Sequence, residues 1–274
     1  MNISQVQNKP EMPILDKISD RRGMLRSLGM VLAGGALTLV PKGTASALIA
    51  SDMSGRKHHW GMVISVKRCV GCKACAIACK QENKTPPGVS YTVVVNSPLE
   101  GSGNDRPIPF TKPCFHCEHP HCTPVCPVSA TFKRESDGIV AMDYDRCIGC
   151  RYCLTACPYG ARFFDFGERY YKEANLAEDV PSPEYDQYRE RKHDQSPIGN
   201  ARKCMFCLHL QDDKGDYNKD EGRWPACAKT CTGKAIHFGD LADKRSEVST
   251  LLYENNAITL KTELGTRPSV FYIL

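Results

Sequence analysis

The sequence predicts an α+β fold of two small units, one inserted in the other, with loop-rich extensions. Its 274 residues include 16 cysteines, which fall into four groups of four along the chain. Short β-rich runs stand beside these groups, and many loops are expected between them. A hydrophobic content of 41% and a charged content of 24% are ordinary for a folded chain and exclude a largely disordered one.

The charge balance gives no sign of a nucleic-acid partner. The formal net charge of +5 is small for a chain of this length. No long basic run and no basic–aromatic stripe occurs in the sequence. We therefore expect no nucleic-acid binding.

Residues 1–47 are expected to be an export signal. Arg21 and Arg22 precede Ser27–Val40, an uncharged stretch of 14 residues, and Ala45–Ala47 is a small-residue cleavage site. The apolar stretch is shorter than the ~20 residues of a membrane span. The segment resembles a twin-arginine signal, which implies periplasmic location after export of a folded, cofactor-loaded protein. An ordinary secretory signal and an uncleaved anchor are the alternatives.

The spacing of the cysteines carries the main chemical information. The first run reads C-x2-C-x2-C-x3-C, and the third repeats it with Pro158 behind the last cysteine. This spacing is typical of bacterial ferredoxins, in which three thiolates of a short loop bind one iron–sulfur cluster and the fourth binds a neighbouring cluster. The four runs are Cys69, Cys72, Cys75 and Cys79; Cys114, Cys117, Cys122 and Cys126; Cys147, Cys150, Cys153 and Cys157; and Cys204, Cys207, Cys227 and Cys231.

Zinc and disulfide bonds explain these runs less well than iron–sulfur clusters do. Zinc sites use C-x2-C pairs but need no third and fourth cysteine in the same short run. Disulfide bonds within C-x2-C pairs leave the other cysteines of each run unexplained. Gly71 and Gly149, each between the first two cysteines of a run, let the backbone pass close to a cluster.

The second and third runs are expected to form one dicluster unit. Between them lie two β-rich stretches, Thr131–Glu135 and Ile139–Tyr144, whose connecting turn predicts a β-hairpin. The unit would follow the order loop, short helix, hairpin, loop, short helix. Its cluster 3 would be bound by Cys114, Cys117, Cys122 and Cys157, and its cluster 4 by Cys126, Cys147, Cys150 and Cys153.

The first and fourth runs would form a second unit around the first. The near-repeat of Arg68–Cys75 in Arg146–Cys153 supports a duplication. The competing arrangement pairs the first run with the second and the third with the fourth. In the favoured arrangement, cluster 1 would be bound by Cys69, Cys72, Cys75 and Cys231, and cluster 2 by Cys79, Cys204, Cys207 and Cys227.

This pattern resembles the four-cluster electron-transfer subunits of molybdopterin oxidoreductases and related quinone-linked respiratory complexes. The resemblance spans about Trp60–Leu274 and includes all sixteen cysteines, which implies ferredoxin-like units that hold four [4Fe-4S] clusters. Three short segments are similar to segments of exported tetrathionate-reductase-type and sulfite-pathway subunits. They are Cys122–Val128, Gly160–Phe164 and Thr266–Tyr272. The resemblance implies two partners, an integral-membrane quinol-oxidising or quinone-reducing subunit and a catalytic (molybdopterin or haem) or cytochrome subunit. Association with the membrane would occur only through a partner.

The remaining stretches predict a few further elements. Strands are expected at Gly61–Val66, Tyr91–Val95, Ala235–Phe238 and Ser269–Ile273, and a helix at Glu247–Asn255.

The expected domain boundaries are 1–47 for the signal, 48–110 for the first half of the outer unit, 111–165 for the inserted unit, 166–203 for a charged insertion or linker, and 204–274 for the second half of the outer unit with a C-terminal extension. The charged insertion either docks a partner or is a solvated loop. His116, His119 and His121 are expected near the second run in supporting or surface roles, not as ligands.

The favoured hypothesis is an electron-transfer subunit that has no catalytic residues of its own and serves anaerobic respiration, with sulfur oxyanions as the expected terminal substrates. A self-contained iron–sulfur oxidoreductase is the alternative, but no Ser/His/Asp, P-loop or dinucleotide-binding pattern occurs and every cysteine is used as a ligand. A metal-dependent redox sensor is the third hypothesis, and an export signal with four complete sites argues against it.

Overall fold

The computed structural model describes residues 56–85, 89–99, 105–164, 166 and 199–274. The expected export signal and most of the charged insertion lie outside the described residues. Within the described ranges, short helices and strands are joined by loops in an α+β arrangement. No helix in these ranges is long and apolar enough to cross a membrane.

The described chain contains ten strands and four α-helices, most of them short. The strands are β1 (Trp60–Ser65), β2 (Val93–Ser97), β3 (Ile108–Lys112), β4 (Thr131–Lys133), β5 (Val140–Met142), β6 (Phe163–Phe164), β7 (Ala201–Arg202), β8 (Ile236–Asp240), β9 (Ala257–Ile258) and β10 (Val270–Ile273). The helices are α1 (Ala74–Glu82), α2 (Tyr152–Ala156), α3 (Ala226–Lys229) and α4 (Glu247–Glu254).

A four-stranded sheet joins the beginning and the end of the described chain. Its strand order is β8-β1-β10-β9, with β1 antiparallel to β8 and parallel to β10. All six residues of β1 are buried because both faces of the strand are covered. Met62 and Ile64 belong to the main core, whereas Val63 packs with Val248 and Leu252 of α4 on the other face.

Three two-stranded ribbons complete the β-structure of the described residues. β2 pairs with β3, β4 with β5, and β6 with β7, all antiparallel. The β4–β5 ribbon is the hairpin expected between the second and third cysteine runs. It is shorter than the two β-rich stretches because a bonded turn at Arg134–Gly138 takes up the residues between its strands.

Three of the helices, α1, α2 and α3, begin within the first, third and fourth cysteine runs. α1 and α2 each begin directly after a residue in the left-handed region, Lys73 at φ 62° and Arg151 at φ 63°. The helix expected behind the second run is absent, since Thr123–Val125 form turns in the described structure. Pro124 explains the difference, because it has no backbone N–H and disfavours helical geometry in Thr123, whereas the third run has no proline between its last two cysteines.

Candidate metal centres

One set of thiols lines a cavity between the first cysteine run and the end of the fourth. Cys69, Cys72, Cys75 and Cys231 surround an empty space of about 320 Å³, part of which is open to solvent. Cys75 is buried on α1, whereas Cys72 is exposed and its Sγ lies 3.3 Å from the hydroxyl of Thr232. This is the set that the spacing predicts for cluster 1.

Two further cavities lie in the middle of the chain. The first, of about 360 Å³, is lined by Cys114, Cys117, Cys122 and Cys157. The second, of about 280 Å³, is lined by Cys126, Cys147, Cys150 and Cys153. Each cavity thus takes three thiols from one run and one from the other, as expected for clusters 3 and 4.

The four cysteines that line none of these three cavities are all buried. They are Cys79, Cys204, Cys207 and Cys227. Cys79 of α1 and Cys227 of α3 come together because these two helices pack against each other. The pKa of Cys227 is raised well above its usual value, first by burial and then by the neighbouring Cys79, Cys207 and Cys204. These interactions bring together the four thiols expected to bind cluster 2.

Burial makes several of these thiols reluctant to ionise on their own. It raises the pKa of Cys117 to about 12, with Cys114 and Cys122 adding to the effect. It also raises the pKa values of Cys75, Cys153 and Cys157. Metal ligands are thiolates, so a buried set of four needs compensating positive charge from a bound metal group or from the protein.

Backbone and side-chain N–H groups point at the sulfur atoms. The amides of Ala130 and Ala235 donate to the sulfurs of Cys126 at 3.2 Å and Cys231 at 3.1 Å, each four residues earlier in the chain. The buried side chain of Asn83 donates to Cys79 Sγ at 3.4 Å. Such bonds stabilise thiolates more than thiols and tune the potential of a cluster that the sulfurs hold.

A buried guanidinium lies beside two of the cavities. Arg162 donates to Cys122 Sγ at 3.1 Å and to the hydroxyl of Thr131 at 3.1 Å, and its charge also interacts with Cys153. Burial disfavours its charge, but the sulfurs of Cys122 and Cys153 outweigh that effect and raise the pKa of Arg162. A fixed positive charge therefore lies among the thiols that line these cavities.

The placement of the sulfurs fits a multi-iron group better than a single ion. A structural zinc site needs all four sulfurs about 2.3 Å from one point. In the described part of the chain, no group of three or more His, Cys, Asp or Glu side chains is placed to hold one metal ion. Four thiols that line one cavity, with N–H donors aimed at the sulfurs, suit a [4Fe-4S] cluster.

Sequence reasoning alone did not single out Asn83, Arg162 or Lys203 as parts of the sites. Lys203 is fully buried beside Cys204 and donates to the backbone carbonyls of Val140 and Cys204. A polar or charged residue four or five positions after a cysteine, or directly before one, is typical of a protein surface. Only the fold shows that these side chains turn inward.

The histidines near the second run have different environments. His116 is fully buried, stacks on Phe206 with 3.7 Å between ring centroids, and accepts a hydrogen bond from the amide of Val140. Burial lowers its pKa, so the ring is neutral. His119 and His121 are exposed.

Known proteins are similar to this chain over most of its length. A model described as "4Fe-4S dicluster domain" matches residues 108–179. The chain is 48% identical over 218 residues to a selenate reductase subunit of Mesobacillus selenatarsenatis, covering 78% of this chain and 72% of that protein. It is 36% identical over 261 residues to a tetrathionate reductase subunit of Salmonella typhimurium, covering 93% and 88%. It is 33% identical over 255 residues to protein NrfC of Escherichia coli K12, covering 92% and 94%.

Proposed function

Because this chain belongs to the family of iron–sulfur electron-transfer subunits of multisubunit oxidoreductases, we propose that it relays electrons through four [4Fe-4S] clusters. The relay connects a membrane subunit that reacts with quinone to a catalytic or cytochrome subunit. Clusters of this kind take up and release single electrons. The chain itself supplies ligands, burial and hydrogen bonds, and the substrate chemistry belongs to a partner.

The single observation that carries the proposal is the sorting of the cysteines into four mixed sets. No set is drawn from one run alone. The ligands we assign are Cys69, Cys72, Cys75 and Cys231 for cluster 1; Cys79, Cys204, Cys207 and Cys227 for cluster 2; Cys114, Cys117, Cys122 and Cys157 for cluster 3; and Cys126, Cys147, Cys150 and Cys153 for cluster 4.

The clusters would form two pairs of close neighbours. Cys75 and Cys79 lie one turn apart on α1 and belong to clusters 1 and 2. Cys153 of α2 and Cys157 behind it belong to clusters 4 and 3. Sharing a helix keeps the clusters of each pair a fixed short distance apart, which single-electron transfer requires.

Each pair of clusters would occupy one ferredoxin-like unit, with the unit at 111–165 inserted into the outer one. The antiparallel pairing of β1 with β8 supports the nested arrangement, because it joins chain segments on either side of that unit. The packing of α1 against α3 supports it in the same way.

The partners are inferred from the relatives. Their names refer to reductases of selenate and tetrathionate, and another relative, 35% identical over 240 residues, is named menaquinone reductase, iron-sulfur cluster-binding subunit. We therefore propose that the complex serves anaerobic respiration of a sulfur or selenium oxyanion. The membrane partner would exchange electrons with quinol, and this chain would touch the membrane only through it.

We further propose that the complex faces the periplasm. The twin arginines Arg21 and Arg22 ahead of an uncharged stretch support this location. The double change Arg21→Lys and Arg22→Lys should leave the protein in the cytoplasm with its clusters bound. Fractionation that finds the variant in the periplasm at the normal level would contradict this.

The relay is tested in membranes from cells that produce the whole complex. A menaquinol analogue should bleach the cluster absorbance, and addition of the oxyanion acceptor should restore it. Cys227→Ser, which removes a buried ligand of cluster 2, should abolish acceptor-dependent reoxidation while the complex still assembles. Thr230→Ser serves as the control. Thr230 lies three residues away, and its partly buried hydroxyl donates to the backbone carbonyl of Ala226, a bond that serine can also form. Full electron transfer in the Cys227→Ser complex would refute a relay through cluster 2.

A further inference from the structure

One buried positive charge lies directly against the sulfurs of the inner unit. Arg162 is only 5% exposed. Its hydrogen-bond partners are the Cys122 sulfur at 3.1 Å, the Thr131 hydroxyl at 3.1 Å and the Met142 thioether at 3.5 Å. Within the described part of the chain, the guanidinium forms no ion pair with a carboxylate. An unpaired buried charge is costly, so the sulfurs beside it must supply the compensating negative charge.

This guanidinium lies close to ligands of both cavities of the inner unit. Arg162 lines the cavity assigned to cluster 3, where it donates to Cys122. Its charge also interacts with Cys153, which lines the cavity assigned to cluster 4. One fixed cation therefore lies beside ligands of two clusters.

The outer unit has an aliphatic side chain at the corresponding position. In three runs, the amide four residues after the last cysteine donates to that cysteine's sulfur: Ala130 to Cys126, Ala161 to Cys157, and Ala235 to Cys231. The residue that follows this amide is Thr131, Arg162 or Ile236. Ile236 is buried and lines the cavity assigned to cluster 1. The same backbone feature thus places a charge in the inner unit and a hydrocarbon in the outer one.

We propose that Arg162 raises the reduction potentials of clusters 3 and 4 above the values that their ligands and burial alone would give. The inference rests on the proposed function. Reduction adds one electron to a cluster and makes the cluster with its four thiolates more negative. A buried cation at hydrogen-bond distance stabilises the reduced form more than the oxidised form, because the low dielectric screens the interaction weakly. Arg162 is a positioning residue that favours electron uptake by clusters 3 and 4.

The test is a redox titration of the anaerobically purified full chain, followed by EPR, with dithionite as the one-electron reductant. Arg162→Gln should lower the equilibrium constant for reduction at least about tenfold in two of the four couples, which is about 59 mV for a one-electron couple. Arg162→Lys keeps the charge and should retain most of both potentials. The control is Arg146→Gln, which removes a positive charge next to Cys147 from a side chain that is 46% exposed. Solvent screens this charge, so its removal should shift no couple by as much as threefold.

The outcomes separate this inference from the proposed function. Zinc in place of iron in the unaltered protein would overturn the proposed function. Unchanged potentials in Arg162→Gln, with iron content intact, would overturn only the role of Arg162. If Arg162→Gln loses inner-unit iron while Arg162→Lys keeps iron and potentials, the charge itself is required and the inference stands. Loss of iron from both variants would assign Arg162 to packing and overturn the inference.

Discussion

Gly233 offers a sharp test of how the proposed cluster 1 site is built. A Cβ atom at this position would lie 2.2 Å from the backbone oxygen of Arg68, whereas real Cβ contacts essentially never fall below 3.0 Å. Gly233→Ala must therefore move the two backbones apart by at least 0.8 Å, the difference between these distances. Arg68 precedes Cys69, and Gly233 follows Cys231, so the displacement separates two loops that both supply thiols to one cavity.

The cost of this substitution follows from the geometry. Overpacking that forces backbone shifts costs about 1–3 kcal/mol. If unfolding relieves the clash, clusters should be lost in guanidinium about 5 to 150 times faster than in the unaltered protein, since each 1.4 kcal/mol is a factor of ten. The assay is the decay of visible cluster absorbance under anaerobic conditions, together with iron per chain. The iron deficit should not exceed the share of one cluster, because the other cavities are untouched.

Gly160→Ala is the matched control for this prediction. Gly160 has φ +60°, and a Cβ there would meet nothing within 4 Å, so the change introduces only backbone strain of about 1 kcal/mol. Like Gly233, it lies within three residues of a final cysteine in its run. Equal rates of cluster loss and equal iron content in the two variants would refute the close approach of the loops as the factor that matters.

Two further predictions concern the structure around the sites. Burial opposes ionisation of Glu118, but hydrogen bonds from Arg56 and Lys133 lower its pKa to about 2, from an ordinary 4.5. The carboxylate therefore stabilises the fold above about pH 4.5, and this contribution is lost as the pH falls towards 2. Glu118→Gln should lower the free energy of unfolding by about 1–3 kcal/mol at neutral pH and flatten its dependence between pH 4.5 and 2 in denaturation followed by circular dichroism; an unchanged pH profile would contradict the ion pair. Phe238 is 2% exposed and contacts four aromatic rings. Phe238→Ala should cost about 3–5 kcal/mol in the same assay and Phe238→Leu clearly less, whereas equal costs would argue against a packing role.

The spacing of the cysteines predicted which thiols the fold brings together, because the reach of a short loop limits the choices. Three thiols of one run can surround one site, and the fourth, carried away on a helix such as α1, must face another site. The central hairpin was predictable for a similar reason, since two β-rich stretches joined by Ser136-Asp137-Gly138 have few other conformations available. These features are local, and local patterns are visible in a sequence.

The features that the sequence did not reveal depend on long-range packing. β1 pairs with β8 and β10, partners more than 170 residues away along the chain, and no local pattern encodes that choice. The inward orientation of Arg162 follows from the burial of the loop behind Cys157 against the β4–β5 hairpin. The helix expected after the second run was a wrong prediction, because Pro124 between the last two cysteines of that run disfavours helical geometry.

The measurement that tests the central claim most directly is a count of iron and of electrons taken up by the anaerobically purified chain. A relay through four clusters predicts about sixteen irons per chain, negligible zinc, and four one-electron reductions with EPR signals of reduced [4Fe-4S] clusters. Zinc in the cysteine sites, or an uptake of fewer than four electrons by a fully iron-loaded chain, would contradict such a relay.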